Sequence, residues 1–335
     1  MRCSRVRSLG VTLLLFTWLL VLAGLAPQAS AGNRVRAYVA NTGSNSVSVI
    51  DPARNTVIDT IPLESGAAPY GVAVTPDGRR IYVADFGTDD VAVIDVRTDA
   101  VTTYLHVGRG PTAVAASPQR HEVYVSDFLS NTVSVIDTES NTVTATLPAG
   151  SSPFGLAPTP DGRHLYIADF NSGTVSVISL RTRSVIGTIA LGGSPAGVAV
   201  SPDGRNVYVT NFDSNNVTVI STRTQAVTDV ISVGAEPVGV AVSRDHRQVW
   251  VADSGSNDVS VIHTPSQAVT ATIPIGPGTA PYGTATTPDD RYLYVTDRDA
   301  NSVSVISLRT HALVATITVG TNPRGIAIQT SERRS

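Results

Sequence analysis

Lysine is missing from this sequence: all 24 basic residues among its 335 are arginine. A mechanism that passes through a lysine Schiff base is therefore excluded. Cysteine is almost as scarce. The single one, Cys3, sits in the N-terminal leader, so the rest of the chain has no disulfide, no thiolate nucleophile and no cysteine metal ligand. Histidine occurs six times without metal-ligand spacing or a triad pattern. His121, His164 and His246 fall in turns, His263 and His311 lie near turns, and His106 lies in an outer strand. G-x-S-x-G and phosphate-loop patterns do not occur, so neither a metal nor a cofactor is expected. Helical periodicity is absent beyond residue 31.

What is present begins with the leader, MRCSRVRSLGVTLLLFTWLLVLAGLAPQASA. Arg2, Arg5 and Arg7 precede an apolar run from Leu9 to Leu25, and Ala29-Ser30-Ala31 has the small-x-small form of a signal-peptidase site. Cleavage after Ala31 is expected, leaving residues 32–335 as one mature domain in an extracytoplasmic location, periplasm or cell wall. The alternative is an uncleaved anchor, because the apolar run approaches the spanning minimum of roughly 17 to 18 residues. No later segment reaches that length, so no membrane span is expected after cleavage. The mature chain keeps 21 Arg against 27 acids, a net charge of −6. That balance argues against a nucleic-acid partner, which needs clustered cations to neutralise phosphates.

The mature chain repeats one phrase seven times. Tyr38, Tyr82, Tyr124, Tyr166, Tyr208, Trp250 and Tyr294 are spaced by 44, 42, 42, 42, 42 and 44 residues. Each unit holds four short runs rich in Val, Ile, Thr and Tyr, bounded by Gly, Pro, Asn and Asp, which read as strands. In the fifth unit they are 196–201, 206–211, 216–221 and 226–233. Pro-Asp-Gly turns such as Pro76-Asp77-Gly78 join the first run to the second. Four antiparallel strands repeated at this period predict an all-β, seven-bladed β-propeller. The chain opens on a second strand (33–41) and ends on a first strand (323–329). Their pairing is predicted to close the ring and cover exposed edges.

YVTNFDSNNVTVIS (208–221), YVANTGSNSVSVID (38–51) and YVSDFLSNTVSVID (124–137), with intervening stretches of the P-x-G-V-A-V-S-P-D-G-R type, resemble the YVTN-repeat β-propeller family. The resemblance covers almost all of residues 33–330. It implies a secreted or cell-surface propeller, expected to be a monomer. Similar propellers occur in surface-layer proteins, lactonases and electron-transfer subunits, so fold alone does not settle function.

Positions that differ between the seven copies are free for function. The residue closing the second strand is Asn41, Asp85, Asp127, Asp169, Asn211, Asp253 or Asp297. This ring reads as turn-forming polar residues or, less economically, as a cation site. The next position is Thr42, Phe86, Phe128, Phe170, Phe212, Ser254 or Arg298, and its phenylalanines read as packing between blades or as ligand surface. After the proline of each blade-joining loop comes Tyr70, Thr112, Phe154, Ala196, Val238, Tyr282 or Arg324. The loops entering blades two and seven are two residues longer than the rest, and they flank blade one. The candidate ligand site is therefore Tyr70, Tyr282, Arg298 and Arg324, with arginines for a carboxylate or phosphate and tyrosines for aromatic surface and hydroxyls. The competing reading pairs these arginines with the Asp ring in surface salt bridges. Asp297, Asp85 and Glu236 are the candidate acid or base groups. Together these features predict a module that binds a protein, a glycan or a small anionic ligand through its top face, the face carrying the second-to-third-strand turns and the blade-joining loops. The alternative is a lactonase-like hydrolase using Asp and Arg near the channel mouth.

Overall fold

The second and third runs of each repeat, such as AYVAN and SVSVID, mix aliphatic residues with small polar ones, and they are buried along nearly their whole length. A strand buried on both faces must be covered on both faces, which requires a blade on either side. The computed structural model describes residues 35–329 and arranges them as seven four-stranded antiparallel sheets. The signal peptide expected over 1–31 lies outside the described residues. Among the described residues no helix is long and apolar enough to cross a membrane.

Neighbouring blades meet through these double-faced strands. Tyr38, Ala40, Val47 and Val49 of blade one pack against Ile81, Val83, Ala92 and Ile94 of blade two. On its other side, blade one sets Ala37, Val39 and Ile50 against Tyr294, Val303 and Val305 of blade seven. Each fully buried aliphatic side chain contributes roughly 1.5–3 kcal/mol, so the stability of the ring resides in seven such interfaces. The repeat aromatics lie at their centres, and Trp250 simply takes the tyrosine's place at 0 % exposure. Several tyrosine hydroxyls reach a neighbouring blade: Tyr82 donates to Asn141 Oδ1 at 2.7 Å, and Tyr294 to Asn55 Oδ1 at 2.6 Å.

Blade one closes the ring as the sequence predicts. Pro323–Ile328 pairs antiparallel with Ala37–Asn41, followed by Ser46–Asp51 and Thr56–Pro62. The observed strands are a little shorter than expected: Ala37–Asn41 rather than 33–41, and Pro323–Ile328 rather than 323–329. In blade five, Asn206–Asn211 and Asn216–Ser221 match the prediction; the first strand is Pro195–Val200 and the fourth Ala226–Ser232. Each outer strand carries one extra residue, a β-bulge opposite the third strand. In blades one, four and seven the bulged residue is Ile58, Ile186 or Val314, which accounts for their large exposure.

The glycine after Pro-x in the joining loops fixes the channel mouth. A Cβ on Gly283 would stand 2.2 Å from the carbonyl oxygen of Arg324, and one on Gly239 equally close to that of Tyr282. In these blades successive first strands therefore approach too closely for a side chain at this position; blade three is the exception, with Ala113. Their contact brings the variable residues between proline and glycine into one ring at the channel mouth.

Candidate functional site

The loop entering blade one begins the site. Asn322 adopts a left-handed backbone (φ 54°), which asparagine tolerates better than most residues, and its N–H donates to Asn301 Oδ1 at 2.8 Å. Its own Oδ1 then accepts from Arg324 Nε at 3.1 Å. The Arg324 carbonyl accepts from the Thr296 hydroxyl at 2.6 Å, so blade seven holds the backbone of a strand that belongs to blade one. Arg324 is thus fixed at the ring seam from both sides.

Its guanidinium lies against two aromatic rings, 4.4 Å from the Tyr70 centroid and 5.0 Å from the Tyr282 centroid. Nη1 donates to the Tyr70 hydroxyl at 2.5 Å and to the Tyr282 hydroxyl at 3.2 Å, and the two hydroxyls bond to each other. The longer loops that enter blades two and seven deliver these tyrosines, as the sequence suggested. Burial, reinforced by the neighbouring Tyr70, holds the Tyr282 hydroxyl well above the usual phenol range, so it stays protonated. Two hydroxyl protons serve one Tyr–Tyr bond. With Tyr282 donating to Tyr70, the Tyr70 O–H and the two N–H groups of Arg324 Nη2 are left without a partner among the described residues.

Arg298 completes the cluster from the side, 5.9 Å from the Tyr282 centroid. Its charge is taken up by Asp299, whose Oδ1 lies 2.9 Å from Nε; that bond holds the Asp299 carboxyl below the usual range. The competing salt-bridge reading thus describes Arg298, with Asp299 as its partner and not the Asp ring. No described carboxylate pairs with Arg324.

Arg324 and Tyr70 form one wall of a cavity of about 400 Å³, completed by Thr42, Thr112, Phe86, Phe128 and Phe154. Tyr282 and Arg298 touch that wall without lining the space. The phenylalanines pack between blades, and some of them also line the cavity. Phe86, Phe128, Phe170 and Phe212 are half-buried, and they join a continuous aromatic row with Phe154 and Tyr70 whose neighbouring centroids lie 5.6 to 6.4 Å apart. Phe86, Phe128 and Phe154 turn part of that row toward the cavity.

The three candidate carboxylates lie elsewhere. Asp297 is buried at its strand end, and its Oδ2 accepts from the Ser302 and Ser304 hydroxyls, both at 2.8 Å. Asp127 and Asp169 repeat that arrangement with Thr132 and Ser134, and with Thr174 and Ser176. Asn41 and Asn211 use their amides in the same place. The ring is therefore a strand-to-strand latch, and its partners are third-strand hydroxyls more than turn amides. Burial pushes Asp297 up to about 6, with the serine hydroxyls opposing the rise. Asp85 departs from the pattern: its third-strand neighbours are Asp90 and Ala92, neither carboxylate oxygen has a hydrogen-bond partner, and it is 0 % exposed. Burial, then Asp90 and Glu64, push it up to about 8. Glu236 is exposed, with a left-handed backbone (φ 52°) and its N–H bonded to Asn215 Oδ1. None of the three lines the cavity. Among the described residues no group of three or more His, Asp or Glu is arranged to hold a metal ion.

Sequence reasoning did not single out Asn322, Thr42 or Thr112. Thr42 and Thr112 occupy variable positions of the repeat, and that signal was available.

A profile of the virginiamycin B lyase family matches residues 56–333, from the outer strand of blade one to beyond the closing strand. The chain belongs to the virginiamycin B lyase family. Its fold is shared with virginiamycin B lyase from Staphylococcus aureus, at 16 % identity and a TM-score of 0.69 over 79 % of this chain and 89 % of that one. Hydrazine synthase of Kuenenia stuttgartiensis is similar at 21 % identity and a TM-score of 0.71, over 81 % of this chain and 97 % of that one. A putative 6-phosphogluconolactonase from Bacteroides uniformis aligns at 15 % identity and a TM-score of 0.73, over 89 % of this chain and 100 % of that one. At such identities these likenesses speak for the propeller alone. No curated protein sequence is significantly similar to the chain.

Proposed function

We propose that this member of the virginiamycin B lyase family is an extracytoplasmic, YVTN-type propeller that binds a small anionic ligand at its top face. The observation that carries the reading is a donor-rich cluster: Arg324 and the Tyr70 hydroxyl lie together at the cavity wall, and no described carboxylate forms a salt bridge with Arg324. A carboxylate would accept one bond from each, and a charge-assisted pair of this kind is stronger than a neutral hydrogen bond. Asn322, Tyr282 and Thr296 hold the arginine in place beforehand, which lowers the ordering cost of binding. The leader supports export; N-terminal sequencing of protein recovered outside the cytoplasm should begin at Gly32.

Calorimetric titration with small carboxylates and inorganic phosphate tests the site. Binding to the natural chain, lost in Arg324→Met at unchanged melting temperature, is the expected result. Equal binding by both proteins would refute the assignment. The family name and the lactonase-like neighbour favour a second reading, the opening of a lactone or ester ring. Asp85 and Asp297 would be its acid or base groups, and their burial away from the cavity counts against it. Turnover of a cyclic ester by purified protein, abolished by Asp297→Asn, would establish it over simple binding.

A further inference from the structure

Resting on the anion-binding reading, we infer that the ligand of this cavity is a planar aromatic carboxylate, with its acid group on Arg324 and its ring on the phenylalanine row. The cavity has two chemically distinct ends. Arg324 and Tyr70 present hydrogen-bond donors at one end, while Phe86, Phe128 and Phe154 present ring surface at the other. The remaining polar groups are already committed: the Thr42 hydroxyl donates to the Pro69 carbonyl at 2.6 Å, and the Thr112 hydroxyl lies 3.0 Å from that of Ser126. The far end therefore offers nothing that would repay the desolvation of a sugar or other polyhydroxylated body.

The arrangement of the rings favours an arene over an aliphatic body of equal size. Tyr70 meets Phe154 edge-on (87°, centroids 5.6 Å), and Phe128 meets Phe154 nearly so (78°, 6.1 Å). A flat ring entering between half-buried phenylalanines extends this edge-to-face series, which a puckered ring cannot do. Such contacts add roughly tenfold in affinity beyond area burial at best. The volume, about 400 Å³, is enough for one or two fused rings. The acid group is required because the Arg324 guanidinium would otherwise be covered without a counter-ion.

The test uses 2-naphthoate, its neutral amide 2-naphthamide, cyclohexanecarboxylate and acetate as probes, titrated into the natural protein and Phe128→Leu. Phe128 is half-buried, so leucine keeps the apolar contact while removing the ring, and thermal unfolding verifies the fold. The expected result is 2-naphthoate binding roughly tenfold more tightly than cyclohexanecarboxylate and at least tenfold more tightly than the amide, with the first preference reduced at least threefold in Phe128→Leu. Acetate, too small to span both ends of the cavity, should bind the two proteins within a factor of two. Equal affinity for naphthoate and cyclohexanecarboxylate, or an unchanged preference in Phe128→Leu, would overturn the aromatic inference while leaving the anion site standing. Equal binding of naphthoate and its amide, or no binding of any acid, would overturn both.

Discussion

Asp85→Asn should make the protein more stable, and the gain should grow with pH. In the native chain Asp85 is sealed in blade two without a hydrogen bond to either carboxylate oxygen, next to Asp90 and near Glu64. Its folded-state titration point of about 8 compares with 3.8 for a free side chain. Because the folded value is raised, the folded state binds more protons than the unfolded one between those two points. Stability from this group is complete below about pH 4 and is lost as pH rises through 8, at a limiting slope of roughly 1.4 kcal/mol per pH unit. Relaxation and water penetration reduce the full span, so a difference of about 2–4 kcal/mol between pH 4.5 and pH 8.5 is the expected size. Asparagine does not titrate, and this fold already uses it at the same position. Asn211 donates to Asn216 Oδ1 at 2.7 Å, and an amide at position 85 would meet Asp90 in the corresponding register. Chemical unfolding of the two proteins at pH 4.5, 6.5 and 8.5 measures the difference, and the titrating groups that do not interact with Asp85 cancel in the comparison. The variant should match the natural chain at pH 4.5 and exceed it at 8.5. A difference that does not change with pH, or a carbon chemical shift placing the Asp85 titration near 4, would refute the argument.

Gly283→Ala should destabilise by about 1–3 kcal/mol, because its Cβ would fall 2.2 Å from the Arg324 carbonyl oxygen. The same push on Arg324 should weaken carboxylate binding at least tenfold in calorimetric titration, and a protein that binds normally would show that the seam does not position the site. Tyr294→Phe removes the hydroxyl that joins blade seven to Asn55 of blade one, and it should cost about 1–2 kcal/mol in denaturant unfolding. The loss should vanish on top of Asn55→Ala if the two groups act as a pair.

The architecture was readable because the chain compares itself with itself. Seven tyrosine-centred phrases at nearly constant spacing could bury their double-faced strands only against one another, and chain ends made of complementary strands left the seam one place to close. Part of the site was readable for the same reason. Tyr70, Tyr282 and Arg324 occupy one repeat position where most copies are small or apolar, and the close glycine-to-carbonyl contact turns a shared repeat position into a shared place in space. The carboxylates were harder to place, because a repeat position says where a backbone sits and not which way its side chain turns. The partners of Asp297 lie five and seven residues further on, and both are hydroxyls, so the pattern of a latch was present in the sequence. It differs from a catalytic pattern only in pointing into the sheet.

The distribution of irregularity explains why one sector of the ring carries the candidate site. A closed propeller needs each blade to fit its two neighbours, so most positions are held to the repeat by packing, and change is tolerated where loops face solvent. The two lengthened loops enter blades two and seven and place a left-handed Ala68 and Ala280 directly before their prolines (φ 47° in both). Alanine is strained in that conformation, by roughly 1–2 kcal/mol, where the loop entering blade three uses Gly110. Both strained residues are anchored from the preceding blade: Ala68 N–H by Asn45 Oδ1 at 2.8 Å, and Ala280 N–H by Asn257 Oδ1 at 3.0 Å. These contacts hold the loops in the geometry that delivers Tyr70 and Tyr282 to the Arg324 guanidinium. A lone arginine at the channel mouth would be one more mobile surface charge; packed against two anchored tyrosines it becomes a fixed group at the wall of an aromatic cavity.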